Sequence, residues 1–321
     1  MKPIMSICIP TYNRAEILDK NIKRIIDQDE FKSGKVELVI SDNCSEDDTQ
    51  KICMKYAEKY ENFIYHRNEK NIRDENFPNV LKYGNGTYRK LSNDTIRYED
   101  GALKYFVDVL EKPEVKKNHP VVFYRGDKKN CSDEILESPD DFMNCLSFNI
   151  TWIGGLGIWE EDTEYLDESI PDCATHLWQV PFLLNCLSRH NGSYVIHKIL
   201  SSISYSSSHK FHTREFYEIF YTNYLTHINN FVEKKILNKE TYDYLRKDLL
   251  YHFLTYWMIN MDLAPEKLLF DPDEERLTEM IMKQYGSEPY FQNYLKFYHR
   301  QKIRLGLLHV LSVIYHWIKR N

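Results

Sequence analysis

Three polar clusters, each following a short apolar run, hold the residues best suited to chemistry in this chain. They are Pro10-Thr11-Tyr12-Asn13-Arg14, then Asp42-Asn43-Cys44-Ser45 with Asp47, Asp48 and Thr49, then Ser92-Asn93-Asp94-Thr95. A carboxylate after the second run can accept the imide N–H of uracil, a donor that cytosine lacks. Helix amino termini opening just after such runs favour diphosphate oxygens. An acid after a later run can hold Mg²⁺ or Mn²⁺, which bridges phosphate oxygens. Asp94 is the only acid in its segment, so that role rests on one carboxylate flanked by neutral Asn93 and Thr95. Singly each cluster says little, because polar residues end strands everywhere; their succession within one half-domain carries the reading.

The elements that must position them follow from hydrophobic periodicity. Apolar runs predict strands over 4–9, 36–40, 63–65, 88–91 and 121–124. Between them, Ile17, Leu18, Ile22, Ile25 and Ile26 recur at helical spacing from Arg14 onward. A second helix is expected from Ser45, with Asp48 as a short-armed capping box and Ile52, Tyr56 and Tyr60 on one face. Gly84-Asn85-Gly86 reads as a turn, and 99–110 as a helix carrying Leu103, Phe106, Val107 and Leu110. Strands alternating with helices predict an α/β fold: a mostly parallel, Rossmann-like sheet with helices on both faces and ligands at the strand carboxyl ends.

Beyond 150 the pattern changes. Ile150 to Trp159 is Gly-rich and aromatic, a helix is expected over 175–189, and 194–200 is strand-like. The serine-rich stretch 201–208 is the best boundary, giving a domain over 1–205 and a helical region over 206–321. His209 and His212 have metal-ligand spacing but sit in that loop with no third ligand nearby. From Pro289 onward there is no acid, while Lys296, Arg300, Lys302, Arg304, Lys319 and Arg320 are interleaved with apolar residues. Such a helix either packs with its basic end favouring the helix dipole or lies on an anionic membrane surface.

The formal charge of −6 argues against nucleic-acid binding, which needs basic surface. Seven cysteines without a Cys-x-x-Cys favour a reducing compartment over a disulfide framework. With no signal peptide and no membrane-length apolar run, the expected location is cytoplasmic, peripheral at the inner membrane if the basic tail binds lipid.

Residues 6–14 and 37–49 resemble the family 2 glycosyltransferases of GT-A fold, as does Asn68-Glu69-Lys70-Asn71-Ile72. Gly86 to Asp94 falls where that family carries its aspartate cluster, and bacterial surface-polysaccharide members of the abequosyltransferase type are similar. The resemblance is specific over about 4–100 and weak in the final third. It implies inverting transfer from a nucleotide sugar, a UDP-sugar foremost, to a hydroxyl of a glycan or lipid-linked acceptor. Pro10, Thr11, Tyr12 and Arg14 would border the nucleotide, Asp42 would hold the base, and Asn68 and Asn71 would line the pocket. Asn93 and Asp94 would face the donor, with Asp94 contacting either a weakly bound Mn²⁺ or Mg²⁺ or the sugar ribose. The departure is that the family usually has two or three aspartates there.

Inversion needs a base to take the acceptor's proton. Candidates past the Gly154-Gly155-Leu156-Gly157 loop are Asp172 and His176, with Glu160 and Asp162 behind them. Asp172 also reads as a helix cap and His176 as a surface histidine. The rival readings are a degenerate, non-catalytic domain that binds nucleotide or a partner, and a nucleotidyltransferase, which would want a glycine-rich loop after strand one. A homo-oligomer is left open.

Overall fold

The computed structural model describes residues 2–128, 132–203, 211–263, 270–271 and 273–320. The chain divides into two compact units, Met1–Ser206 with Asn230–Asn238, and Ser207–Asn229 with Lys239–Asn321.

The first unit opens with β1 (Met5–Thr11), α1 (Ala15–Ile26), the short α2 (Asp29–Lys32), β2 (Val36–Asp42), α3 (Thr49–Lys59) and β3 (Phe63–Arg67). Every residue of β1 and β2 is buried, as expected of parallel strands covered on both faces. After α4 (Asn76–Lys82), β4 (Tyr88–Leu91) pairs parallel with β1 on the side away from β2. Glu37, buried in β2, fixes the entry to β4: its carboxylate accepts from Ser6 Oγ at 2.5 Å and from the N–H groups of Asn85 and Gly86. A buried acid thus becomes the internal anchor of a turn.

Next come β5 (Ile96–Tyr98), α5 (Ala102–Leu110), α6 (Pro113–Asn118), β6 (Val121–Lys128), β7 (Glu134–Leu136) and α7 (Pro139–Leu146). Then follow β8 (Gly157–Trp159), α8 (Gln179–Arg189), β9 (Ser193–Lys198) and β10 (Ser201–Ile203). The main sheet has the order β3-β2-β1-β4-β8, parallel except for the β4–β8 pair. The expected fifth strand, β6, instead joins a second sheet of order β6-β9-β7. The place beside β4 goes to β8, because Gly157 lets the Tyr88 ring close over it. A Cβ there would lie 1.9 Å from the Tyr88 hydroxyl.

Three other boundaries differ from expectation. The helix expected from Ser45 begins at Thr49, and Asp48 makes no capping bond. The helix expected from 175 begins at Gln179, after a 3₁₀ turn over Pro171–Thr175. The helix expected from 99 begins at Ala102, after Gly101 in the left-handed region. Ser201 to Ile203 is strand rather than linker; 204–208 and His209 lie outside the described residues.

The second unit holds β11 (Phe211–His212), α9 (Thr213–Tyr217), α10 (Tyr224–Glu233, shared with the first unit), α11 (Lys239–Asp248) and α12 (Thr255–Leu263). It ends with β12 (Phe270–Asp271), α13 (Glu274–Tyr285) and α14 (Phe291–Arg320). Its core is aromatic: Phe216 stacks on Phe253 with centroids 5.7 Å apart, and Tyr221 meets Tyr285 edge-on at 5.6 Å. Much of the chain's tyrosine is used there as large, rigid packing. Among the described residues, no helix is long and apolar enough to cross a membrane. Side chains beyond 308 lie outside the described residues.

Candidate active site

Register brings the three polar clusters to one rim. The ladder continues past the strands: Asn43 N–H donates to the Thr11 carbonyl at 2.9 Å, Asn68 N–H to Asp42 at 2.9 Å, and Ser92 N–H to Cys8 at 2.8 Å. Because β1 has β2 on one side and β4 on the other, the crevice at its carboxyl end is a topological switch point, where open α/β sheets bind ligands. A cleft of about 300 Å³ opens there. Pro10, Thr11, Tyr12, Arg14, Asn43, Asn71, Asn93 and Asp94 all line it, and so do Arg73, Asp74, Asn76 and Phe77, which the sequence does not single out.

Asp94 is at the centre of the polar contacts. Its Oδ1 accepts from Arg14 Nη1 at 2.8 Å, its Oδ2 from the Thr11 hydroxyl at 3.0 Å, and its carbonyl from the Asn21 amide. The side chain is 3% exposed. Burial pushes its pKa above the ordinary carboxylate value, although Arg14 and Thr11 pull the other way. A hard divalent cation needs several charged oxygens. Asp94 already carries a guanidinium, and the other carboxylate on the cleft wall, Asp74, is engaged by His176, so the site as built is a poor fit for a firmly held metal.

Asp42 and Asn68 sit beneath the cleft rather than on its wall. Asp42 is fully buried; its Oδ1 accepts from Ser45 N–H at 2.8 Å, and its Oδ2 from Tyr65 at 2.8 Å and Arg67 at 2.7 Å. Asn68 bridges Asn43 at 3.1 Å and Asn76 at 2.9 Å, while Asn43 also ties to Asn71 at 2.8 Å. This asparagine network fixes the 68–76 loop, and with it Arg73 and Asp74, against the end of β2.

The helix amino termini are also already engaged. Asp47 Oδ2 accepts from Ala15 N–H at 2.9 Å and its Oδ1 from Thr49 N–H at 3.0 Å, so one carboxylate caps both α1 and α3. Burial alone would raise its pKa, but the bonds from Thr49 and Ala15 bring it below the ordinary value. Asn13, with φ 51°, turns the chain so that its N–H reaches Ser45 Oγ at 2.9 Å. The positive groups on the cleft wall are therefore guanidinium groups, Arg14 and exposed Arg73.

The base candidates separate clearly. His176, in the left-handed region with φ 59°, places Nδ1 2.6 Å from Asp74 Oδ2, and Asp74 lines the cleft. Asp172 lies in the preceding 3₁₀ turn, partly buried and off the cleft wall. Its expected role as a cap of the 175–189 helix is not met, since α8 starts seven residues later, at Gln179. Asp162 is buried and bound by Arg189 at 3.2 Å and His190 at 2.9 Å, and Glu160 pairs with Lys2.

Residues 6–131 match the family described as Glycosyl transferase family 2. Abequosyltransferase RfbV of Salmonella typhimurium is 40% identical over 88 residues, 26% of each chain. A Campylobacter jejuni GalNAc(5)-diNAcBac-PP-undecaprenol beta-1,3-glucosyltransferase is 32% identical over 103 residues, 32% of each chain. The alignments thus span between a quarter and a third of those relatives' lengths. Among solved structures, S. aureus TarS aligns with TM-score 0.55 and 16% identity, covering 82% of this chain and 46% of that one. TarS 1-349 in complex with UDP aligns with TM-score 0.55 and 17% identity, over 86% and 78%. The likeness to these structures is one of fold, an α/β sheet of GT-A type followed by helices.

Proposed function

We propose, taking as premise that residues 6–131 belong to glycosyl transferase family 2, that this chain moves a sugar from a nucleotide-sugar donor to a hydroxyl with inversion at the sugar carbon. The observation that carries the proposal is the junction of Arg14, Thr11 and Asp94 in one cleft at the switch point of the sheet. The donor is a UDP-sugar, and the acceptor is a glycan or lipid-linked hydroxyl in bacterial surface-polysaccharide assembly. The UDP complex supports the choice of donor, and the name of the undecaprenol-linked glucosyltransferase supports a lipid-linked acceptor.

In this reading Tyr12, 42% exposed at the rim, offers a ring face to the nucleotide base, and Asp42, buried beneath the cleft, holds the base pocket in place through Ser45 N–H and Arg67. Arg14 and Arg73 meet the diphosphate charge, and Asp94 holds Arg14 in place. A Mn²⁺ or Mg²⁺ ion binds weakly, since Arg14 already neutralises Asp94. His176 is the base. With Nδ1–H donated to Asp74, its Nε2 takes the acceptor proton while the acceptor oxygen bonds to the sugar carbon and UDP departs. Asp172 is the lesser candidate, because it does not line the cleft.

The catalytic domain spans 1–205. In the helical region 206–321, exposed Ile303, Leu307 and Leu308 beside Arg300 and Arg304 suit an anionic membrane that presents a lipid-linked acceptor. Deletion of 301–321 should then lower binding to anionic vesicles. One observation favours the non-catalytic rival: both Asp94 oxygens are engaged internally. Release of UDP from a panel of UDP-sugars, with membrane glycolipid as acceptor, separates the two. Turnover that is lost in Arg14→Ala supports transfer, and nucleotide binding without turnover across the panel supports the rival.

A further inference from the structure

We propose that Glu134, Cys145 and His197 form a binding site for one zinc-class divalent ion, separate from the nucleotide cleft. The three come from β7, α7 and β9, and one donor atom of each lies within 4.8 Å of the other two. His197 Nε2 is 3.2 Å from Glu134 Oε1, and Cys145 Sγ is 3.6 Å from Glu134 Oε2. A tetrahedral zinc ion with bonds of about 2.0–2.3 Å keeps its ligand atoms roughly 3.3–3.8 Å apart, so only small side-chain movements would close the site.

The second observation is His197 itself. Its side chain is 0% exposed, yet Nε2 makes no hydrogen bond despite its closeness to Glu134, the two being out of line for one. A buried ring nitrogen without a partner carries a cost that a metal bond removes. The other nitrogen, Nδ1, faces Asp127 Oδ1 at 3.2 Å, and Asp127 is held by Arg125 Nε at 2.7 Å. A carboxylate on the far nitrogen is the usual way a ligating histidine is oriented and its tautomer fixed.

The remaining charged groups fit this arrangement. Arg125 Nη1 lies 3.9 Å from Cys145 Sγ and puts a positive charge beside the sulfur. Asp133 accepts from the hydroxyls of Tyr105 and Tyr194, each at 3.0 Å, and so orders the sheet rather than the ion. On binding, the Cys145 thiol releases its proton to solvent and the sulfur bonds to the metal. The two positive charges of the ion then meet the Cys145 thiolate and the Glu134 carboxylate, while Arg125 balances Asp127. A thiolate, an imidazole and a carboxylate suit zinc, not magnesium or manganese. The ion would pin β7 and α7 to β9, with its fourth position held by water. None of the three ligands lines the nucleotide cleft.

The test is metal content of the full chain, stripped with chelator and dialysed against Zn²⁺. One ion per chain is expected in wild type and in Asp94→Asn, with loss of that ion in Cys145→Ser and His197→Ala. Wild type loaded with Co²⁺ instead should show a thiolate-to-cobalt charge-transfer band, a readout that stands even if the variants fold poorly. Wild type without zinc, zinc content unchanged in both variants, or cobalt bound without the thiolate band would overturn the proposal. In that case His197 sits between Asp127 and Glu134 without a metal.

Discussion

Arg14 Nη1 and Asp94 Oδ1 are 2.8 Å apart, joining the first turn after β1 to the segment after β4, with the carboxylate 3% and the arginine 31% exposed. Breaking a buried pair from one side leaves an uncompensated charge and costs about 3–5 kcal/mol; partial exposure of Arg14 puts the expectation for Arg14→Ala at about 2 kcal/mol. Asp94→Asn should stay near wild-type stability, because burial already disfavours the charged form. Urea unfolding of the two variants checks the contrast. Equal losses would show that the pair, not the buried charge, sets the balance.

The His176–Asp74 contact predicts a catalytic asymmetry. His176→Gln should lower kcat by roughly 10²–10⁴-fold with little change in donor KM, as expected when a general base is removed. Asp74→Asn should give a smaller loss in kcat, since Asp74 orients the ring. Asp172→Asn should leave both constants near wild type. Steady-state kinetics on the three variants decides between them, and a large kcat loss confined to Asp172→Asn would reverse the assignment.

Lys90 predicts a pH dependence of stability. Its Nζ donates to the carbonyls of Leu91 at 2.9 Å, Leu156 at 3.2 Å and Gly154, and so pins the Gly-rich loop to β4. Burial pushes its pKa down from 10.5 to about 7. Between about pH 7 and about pH 10 the unfolded chain keeps a proton that the folded chain has shed, so this group makes stability rise with pH across that window. Below it both states are protonated and the slope vanishes. Denaturant midpoints should therefore rise more steeply with pH in wild type than in Lys90→Met; parallel curves would contradict the shift.

Gly157→Ala should destabilise the protein by about 1–3 kcal/mol, because the new methyl overlaps the Tyr88 ring in a packed core. The same variant should weaken the β4–β8 pairing, readable as faster amide exchange at Ile158, which pairs with Arg89.

These residues also show what could be read before the fold was known. The strands β1, β2 and β4 were legible because their apolar runs are local and each ends in a polar cluster. Parallel pairing then put Thr11, Arg14 and Asp94 on one rim. The Arg14–Asp94 bond was not legible, since it joins positions 80 apart and nothing near Asp94 announces a partner. Asp74 was missed for a similar reason: it follows the recognisable Asn68 to Ile72 segment, and only the asparagine network turns it into the cleft. The helix start at Ser45 failed because Asp47 is held by the backbones of two helices at once. The edge strand β8 was hidden in a Gly-rich run whose pairing is decided by the Tyr88 ring.

The most direct measurement of the central claim is calorimetric titration of UDP into wild type and Arg14→Ala, each with and without Mn²⁺. A nucleotide-sugar cleft built on Arg14 and Asp94 predicts UDP binding in wild type, at least tenfold weaker binding in Arg14→Ala, and only a modest gain from Mn²⁺ in either. Absence of UDP binding in wild type, or equal affinity in Arg14→Ala, would contradict the account.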